Sequence, residues 1–173
     1  MSLSIIFRAL QTAEKAHRGQ VRQFGGEPYI VHPIAVAKLL STVSGDLEVI
    51  TAGILHDTLE DTKLSEVGLG VLFGSRVLAL VKEVTRISTH ADGNRTVRRA
   101  LDAEHYGKAS PDGKTIKLAD MADNLKDIAE LDPGFAKVYF KEAAALLPKL
   151  AGGAPDLYNK VFTIISNYQR SGS

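Results

Sequence analysis

The sequence predicts an all-α fold, a helical bundle of about eight to ten helices, and two observations support this prediction. Apolar residues recur three and four positions apart almost throughout the 173 residues, which is the spacing of one face of an α-helix. No long segment shows the alternation of apolar and polar residues that a half-buried strand would have. The chain contains no internal repeat or long linker, so we expect one domain spanning residues 1–173.

An apolar stripe near the N-terminus predicts the first helix, which we expect to end near His17. A glycine-rich stretch over residues 19–29 then predicts a loop. The stripe comprises Ile5, Ile6, Ala9, Leu10 and Ala13.

Two further helices are predicted from their starting residues. Pro33 fits the first position of a helix, with His32 at or beside its cap. Asp46 can cap the next helix, which we expect to continue through His56 and Asp57. The remaining segments are, in order, an amphipathic helix after Ser75, a basic helix over 96–108, a turn over 110–113, a helix over 114–128, and helices after Pro133 and Asp156.

Composition excludes several classes of function. A formal charge of +1 gives no overall field for binding nucleic acid or an anionic membrane. The absence of cysteine excludes disulfides, thiolate metal sites and cysteine nucleophiles, and it fits a cytoplasmic location. No apolar run is long enough to span a bilayer, so we expect no membrane association. Homo-oligomerisation stays open at this point.

The most informative motif is a histidine followed closely by three carboxylates. His56 and Asp57 precede Glu60 and Asp61 by one helical turn, and the group follows an apolar run over 49–55. Negative charge beside a buried segment is costly unless a positive charge compensates for it. A divalent cation is the simplest compensation, so the motif predicts a metal-dependent hydrolase.

Two more residues complete a candidate metal site. If His32 and Asp120 meet His56 and Asp57, the site has two nitrogen and two oxygen ligands. Mixed imidazole and carboxylate ligands suit Mn²⁺, and also Fe²⁺ or Zn²⁺. Glu60 and Asp61 are then well placed to orient an attacking water or to accept its proton.

Each of these residues also has an ordinary structural interpretation. His32 could simply cap a helix, and Asp120 and Asn124 could lie on an exposed helix face. Taken singly, these interpretations are favoured everywhere except in the cluster over 56–61. A group of basic residues is equally ambiguous, since it fits a solvated face as well as phosphate binding. This group comprises Arg95, Arg98, Arg99 and Lys117.

Taken together, the motifs resemble the HD-domain phosphohydrolases. Within them the chain is similar to the hydrolase domain of the Rel/Spo-type alarmone enzymes, and most closely to the stand-alone small alarmone hydrolases. The resemblance covers about two thirds of the chain in the family's order. The matching segments are Ala16-His-Arg-Gly-Gln-Val-Arg22, Gly26-Glu-Pro-Tyr29, His32-Pro-Ile34, Leu55-His-Asp-Thr-Leu-Glu-Asp61, Phe73-Gly74 and Ile116-Lys-Leu-Ala-Asp120 with Asn124.

The resemblance implies an all-helical domain with one Mn²⁺ that removes pyrophosphate from the ribose 3′ position of guanosine tetra- or pentaphosphate. It also implies roles for individual positions. These are His32, His56, Asp57 and Asp120 as metal ligands, Glu60 and Asp61 as the catalytic pair, and Arg22, Tyr29 and Asn124 as substrate contacts. Arg98 and Lys117 are further candidates for phosphate binding from the sequence alone.

The chain departs from the family's pattern in two places. Gln23-Phe24-Gly25 follows the loop arginine, and Met121 and Asp123 stand between Asp120 and Asn124. Phe24 offers no hydrogen-bonding group, so we expect it to stack on a purine with little discrimination between guanine and adenine. The predicted partner is therefore a purine nucleotide 3′-pyrophosphate, with an adenosine alarmone as an alternative to the guanosine one.

Two competing functions stay open from the sequence. One is an HD-type phosphohydrolase acting on other nucleotides, against which Glu60, Asp61 and Asn124 argue through their family positions. The other is a catalytically silent nucleotide-binding module, against which the retained carboxylates of Glu60 and Asp61 argue.

Overall fold

The computed structural model describes residues 4–23 and 25–171, and it confirms the all-α prediction. Over these ranges the chain forms ten α-helices and two 3-10 helices. The α-helices are α1 (Ser4–Ala16), α2 (Val31–Ser41), α3 (Leu47–Leu55), α4 (Thr58–Asp61), α5 (Glu66–Phe73), α6 (Ser75–Val84), α7 (Arg95–Gly107), α8 (Pro111–Leu131), α9 (Pro133–Leu146) and α10 (Pro155–Ser171). The 3-10 helices are His90–Asp92 and Leu147–Leu150. Phe24, on which the base-stacking prediction rests, lies outside the described residues.

The second helix begins two residues earlier than the sequence predicted. It starts at Val31, so Pro33 is its third residue and His32 lies inside its first turn. Proline is tolerated there because the N–H groups of the first turn have no partner within the helix. The prediction that His32 caps this helix is therefore wrong, and the side chain is instead buried, with 2% of the residue exposed.

The predicted third helix is interrupted at its most informative residues. α3 ends at Leu55, His56 and Asp57 form a turn, and α4 begins at Thr58. The expectation of one continuous helix is wrong, yet both turn residues keep right-handed helical backbone angles. The amide of Asp61 still donates to the carbonyl oxygen of Asp57 at 2.9 Å, which preserves the spacing of one turn.

Two helix starts show how the sequence sets their position. Asp46 caps α3 as predicted, because its carboxylate accepts a hydrogen bond from the amide of Glu48 at 2.9 Å. The segment 110–113, predicted as a turn, is instead the capped first turn of α8. Ser110 accepts a hydrogen bond from the amide of Gly113, and Pro111 occupies the first helical position.

α8 lies at the centre of the bundle and contacts α2, α3, α6, α7, α9 and α10. Its apolar side chains fill the middle of the core, while Asp120 and Asp123 are buried on the same helix. None of the helices in the described ranges is long and apolar enough to cross a bilayer. The buried apolar residues of α8 are Ile116, Leu118, Ala119, Met121, Ala122, Leu125 and Ile128.

Gly53 allows α3 to pack closely against α2. A Cβ atom at this position would lie 2.2 Å from Cδ1 of Leu40 and 3.4 Å from Cγ1 of Val36. A larger residue here would force the Leu40 side chain to move within a packed core, so glycine favours this close approach of the two helices. His32 lies in the first turn of α2 and His56 directly follows α3, so the packing of these two helices determines how far apart the histidines lie.

The glycine-rich stretch between α1 and α2 forms a hairpin-like loop. Val21 and Pro28 make an antiparallel bridge, and the amide of Arg22 donates to the carbonyl oxygen of Glu27 at 2.8 Å. The amide of Tyr29 donates to the carbonyl oxygen of Gln20 at 3.0 Å. These bonds fix the backbone on both sides of the loop, next to the residues that introduce α2.

Candidate metal centre

The structure brings together the four side chains that the sequence singled out as metal ligands. The Nε2 atoms of His32 and His56 face each other at 3.3 Å. Oδ2 of Asp57 lies 3.0 Å from Nε2 of His56 and 3.5 Å from Nε2 of His32. Oδ1 of Asp120 lies 3.3 Å and 3.6 Å from the Nε2 atoms of His32 and His56. We call these four residues the donor set.

The second nitrogen of each imidazole is held by an acceptor. Nδ1 of His32 lies 2.7 Å from Oδ2 of Asp123, and Nδ1 of His56 lies 2.8 Å from the carbonyl oxygen of Gly53. Because these acceptors favour a proton on Nδ1, the lone pair of each neutral ring is on Nε2. Two lone pairs that face each other inside the fold repel unless a proton or a metal cation lies between them. The donor set therefore fits a divalent metal ion.

The charges around the histidines also favour a cation at this point. Burial alone would lower the pKa of His56, but the carboxylates of Asp57 and Asp120 raise it well above its usual range. Burial likewise opposes protonation of His32, while hydrogen bonds to Asp120 and Asp123 raise its pKa. The carboxylates of Asp57 and Asp120 thus give the site a negative field that a metal ion would neutralise.

Three residues that were predicted to contact the substrate donate hydrogen bonds to the carboxylates of the donor set. The hydroxyl of Tyr29 donates to Oδ2 of Asp57. Nζ of Lys117 donates to Oδ2 of Asp120 at 2.8 Å, and Nδ2 of Asn124 donates to Oδ1 of Asp120 at 2.5 Å. These bonds orient the carboxylates of Asp57 and Asp120 within the donor set.

Lys117 also stabilises the ionised form of Asp120. Burial alone would raise the pKa of Asp120, but the ammonium group of Lys117 and the two histidines hold it well below its usual range. Nζ of Lys117 lies 4.5 Å from the centre of the Tyr106 ring, which adds a cation–π contact. The ammonium group of Lys117 is therefore directed at Asp120 rather than into solvent.

The remaining basic candidates lie in different surroundings. Arg22 is bound to Asp123, with 2.5 Å between Nη1 and Oδ2, and its Nη2 lies 3.5 Å from Oδ1 of Asn124. Arg98 instead approaches Nδ1 of His90 at 3.2 Å, and its Nε is buried without a hydrogen-bond partner in the described part of the chain. The structure therefore connects Arg22 to the donor set through Asp123, and it shows no such connection for Arg98 among the described contacts.

The two carboxylates of α4 differ from each other. Both oxygens of Glu60 accept hydrogen bonds from Arg86, at 2.7 Å from Nη2 and 2.9 Å from the backbone amide. The side chain of Asp61 is exposed and makes no hydrogen bond among those of the described residues. Partial removal from water and the negative charges of Asp57 and Glu60 raise the pKa of Asp61 to about 6.

Sequence reasoning missed a second connection, which links α1 to α4. Nδ1 of His17 lies 2.7 Å from Oε1 of Gln20, and Nε2 of Gln20 donates to the backbone oxygen of Asp61 at 2.8 Å. The His17 ring stacks on Tyr29 with 4.5 Å between ring centres. The motif Ala16-His-Arg-Gly-Gln was noticed only as part of a resemblance, and its residues support both Tyr29 and α4.

The comparison with protein-family models matches residues 9–152 to the HD domain. That range includes the donor set, the α4 carboxylates and the loop before α2. The chain belongs to the HD-domain family. The predicted resemblance to HD-domain phosphohydrolases is therefore confirmed, and the helical bundle described above is an HD-domain fold.

Individual relatives narrow the position of the chain within the HD-domain family. It is 37% identical over 155 residues to human guanosine-3′,5′-bis(diphosphate) 3′-pyrophosphohydrolase MESH1, and the match covers 85% of each protein. It is 35% identical over 151 residues to the probable GTP diphosphokinase RSH3 of Arabidopsis thaliana, of which the match covers 21%. The chain thus spans about a fifth of the length of several relatives and most of the length of MESH1.

A solved structure supports the same placement of this HD-domain chain. It is described as a metazoan ortholog of SpoT that hydrolyzes ppGpp, and it superposes with a TM-score of 0.87 at 32% identity over 97% of both chains. The Listeria monocytogenes protein lmo0812 superposes with a TM-score of 0.68 at 22% identity, which shows a shared fold alone.

Proposed function

We propose that this HD-domain protein is a Mn²⁺-dependent hydrolase that removes the 3′-pyrophosphate of a purine alarmone such as (p)ppGpp. The observation that carries the proposal is that His32, His56 and Asp57 offer ligand atoms within 4.8 Å of one another, with Oδ1 of Asp120 3.3 Å from Nε2 of His32. The hydrolysis of ppGpp by MESH1 and by the SpoT ortholog supports the choice of substrate.

The donor set fits a divalent ion, and its mixture of imidazole and carboxylate favours Mn²⁺, with Fe²⁺ or Zn²⁺ as alternatives. Such an ion would polarise the phosphorus and make a bound water more acidic. The protein's contribution is to fix the ligands. Tyr29 and Lys117 each donate to one carboxylate of the set, and Asn124 adds a second bond to Asp120.

The two carboxylates of α4, Glu60 and Asp61, have different roles in this proposal. Asp61 accepts the proton of the attacking water, because it has no hydrogen-bond donor of its own in the described structure and its pKa is raised to about 6. Glu60 is held by Arg86 and keeps α4 in place. Water attacks the phosphorus bonded to the ribose 3′ oxygen and that P–O bond breaks, while Asp61 passes the accepted proton to the 3′ oxygen, which leaves as the hydroxyl with release of pyrophosphate.

The proposal also includes contacts to the nucleotide. Tyr29, Asn124 and Lys117 stand beside the donor set, where a substrate phosphate would arrive, although each already binds a ligand carboxylate. Arg98 supplies positive charge from α7, and Arg22 does so from the loop once a phosphate draws it away from Asp123. The departure of the loop at Gln23-Phe24-Gly25 leads us to include the adenosine alarmone (p)ppApp as a second substrate.

We also propose that residues 1–173 act as one hydrolase domain. All the proposed ligands and the α4 carboxylates come from helices that share one apolar core. A cytoplasmic location, no nucleic-acid partner and either a monomer or a homo-oligomer are part of this proposal, on the composition alone.

The test uses metal-free protein that is then supplied with Mn²⁺, Fe²⁺, Zn²⁺ or Mg²⁺. Each form is incubated with ppGpp, ppApp, GTP and dGTP, and the products are separated by ion-exchange chromatography. Production of GDP and pyrophosphate from ppGpp, strongest with Mn²⁺, is the expected result. Hydrolysis of GTP or dGTP without cleavage of either 3′-pyrophosphate would indicate a different HD-type phosphohydrolase. Binding of ppGpp without product would indicate a silent nucleotide-binding module.

A further inference from the structure

One carboxylate oxygen of Asp123 lies between a proposed metal ligand and a loop arginine. Oδ2 of Asp123 is 2.7 Å from Nδ1 of His32 and 2.5 Å from Nη1 of Arg22. The residue is buried on α8, one helical turn after Asp120, so both carboxylates lie toward α2. The sequence had singled out Asp123 only as a departure from the family's pattern.

The contact with His32 controls the nitrogen that faces the metal position. Only a ring with its proton on Nδ1 has a lone pair on Nε2, and an acceptor at Nδ1 selects this tautomer. The charge of that acceptor also makes Nε2 a stronger ligand. His56 has the neutral carbonyl oxygen of Gly53 in the same role, so the two imidazoles are supported by acceptors of different charge.

The contact with Arg22 joins the hairpin-like loop to α8. The side chains of Arg22 and Asp123 are 14% and 10% exposed, so their ion pair is largely shielded from water. Arg22 therefore offers little free positive charge to a ligand while it binds Asp123. A phosphate that draws the guanidinium away would leave the full charge of Asp123 to His32.

We propose that Asp123 is a positioning residue of the metal centre, which holds His32 in its metal-binding tautomer and couples the position of Arg22 to that ligand. The inference rests on the proposed function for the presence of a metal ion between His32 and His56. It gives Arg22 an effect on metal affinity that a simple phosphate contact would not have.

The proposed coupling predicts that two substitutions change Mn²⁺ affinity in opposite directions. Asp123→Asn removes the charged acceptor, so Mn²⁺ affinity should fall by about 10–100-fold. Arg22→Ala removes a positive charge and frees Asp123 for His32, so Mn²⁺ affinity should rise. In the Asp123→Asn background the same Arg22 substitution should have a smaller effect, because the shared carboxylate is gone.

The experiment measures Mn²⁺ affinity without nucleotide, from the electron paramagnetic resonance signal of free Mn²⁺. The wild type, the two single variants and the double variant are compared with Asp112→Asn, which removes a carboxylate of α8 that pairs with Arg76 instead. The ¹⁵N spectrum of the His32 ring, in metal-free protein at alkaline pH, reports its tautomer. Circular dichroism verifies that each variant is folded.

The expected result is a weaker Mn²⁺ complex and a mixed His32 tautomer in Asp123→Asn, with both properties unchanged in Asp112→Asn. Unchanged affinity and tautomer in folded Asp123→Asn would overturn the proposal. A loss of affinity in Arg22→Ala would also overturn it, because it would indicate that the ion pair merely ties the loop to α8. A wild type that binds Mn²⁺ but does not cleave ppGpp would refute the proposed function and leave this test intact.

Discussion

Two members of the donor set, His56 and Asp57, directly precede the carboxylates of α4, but the donor set and these carboxylates differ in their surroundings. Of the donor set, His32 and His56 are each 2% exposed, and every donor has a partner within the protein. Asp61 is exposed, and among the described residues its carboxylate has no hydrogen-bond partner. Preorganised groups suit the binding of an ion, whereas a free carboxylate of raised pKa suits proton transfer. In the proposed function, this difference separates binding of the metal from chemistry on the substrate.

The largest effect is expected from His56→Ala. The substitution removes one of two Nε2 ligands from a buried site, so both Mn²⁺ binding and turnover should fall below detection. Isothermal titration with Mn²⁺ and the ppGpp assay measure the two properties. His105→Ala is the matched control, since His105 binds the carbonyl oxygen of Lys82 and lies outside the donor set. Retained Mn²⁺ binding in His56→Ala would mean that the ion is held elsewhere.

The next effect is a loss of turnover with the metal site intact. Asp61→Asn removes the proposed proton acceptor, so turnover should fall by ~10²–10⁴-fold while Mn²⁺ affinity stays close to that of the wild type. The decisive comparison is between the loss of turnover and the loss of Mn²⁺ affinity, each relative to the wild type. A parallel loss of Mn²⁺ binding would place Asp61 among the ligands and remove the distinction between the two regions.

A smaller effect is expected at Glu60, which Arg86 holds through both carboxylate oxygens. Glu60→Gln should lower turnover by about tenfold to a hundredfold, the scale of a displaced catalytic group. Arg86→Ala should produce a similar loss, because it releases the same carboxylate. If Glu60→Gln lowers turnover more than Asp61→Asn does, then Glu60 is the proton acceptor and the two roles must be exchanged.

The fold and the donor set could be predicted from the sequence to different extents. Helical periodicity gave the all-α fold, and capping residues such as Asp46 gave helix starts. The donor set was predictable because histidine and carboxylate at these spacings have few other reasons to meet. The pairing of His32 and of Asp120 with His56 and Asp57 required contacts between distant segments, and the resemblance supported both.

Partners of the donor set were not predictable in the same way. Lys117 and Arg22 were interpreted as phosphate contacts, since a positive charge in a sequence does not show which carboxylate it will face. Asp123 is three positions after Asp120, which places it on the same helix face, but no local pattern relates it to His32, 91 residues earlier. The turn at His56 and Asp57 was missed because a short interruption leaves helical spacing almost unchanged.

The smallest effect concerns the stability of the metal-free protein. The pKa of Asp61 is raised from 3.8 to about 6, so the folded state binds its proton more tightly than the unfolded state does. The wild type therefore loses stability as the pH rises from about 4 to 6, and the loss is complete above that range. Asp61→Asn should raise the free energy of unfolding by about 1 kcal/mol at pH ~8, since solvent exposure screens part of the repulsion, and should change nothing at pH ~3.5. Urea unfolding at the two pH values measures this, with Asp112→Asn as a control that removes a carboxylate paired with Arg76.

A variant that is both less active and more stable would show that the α4 carboxylate is retained for chemistry at a cost in stability. Equal stabilities at both pH values would mean that the charges of Asp57 and Glu60 do not act on Asp61, and the proton-transfer role would lose its electrostatic basis.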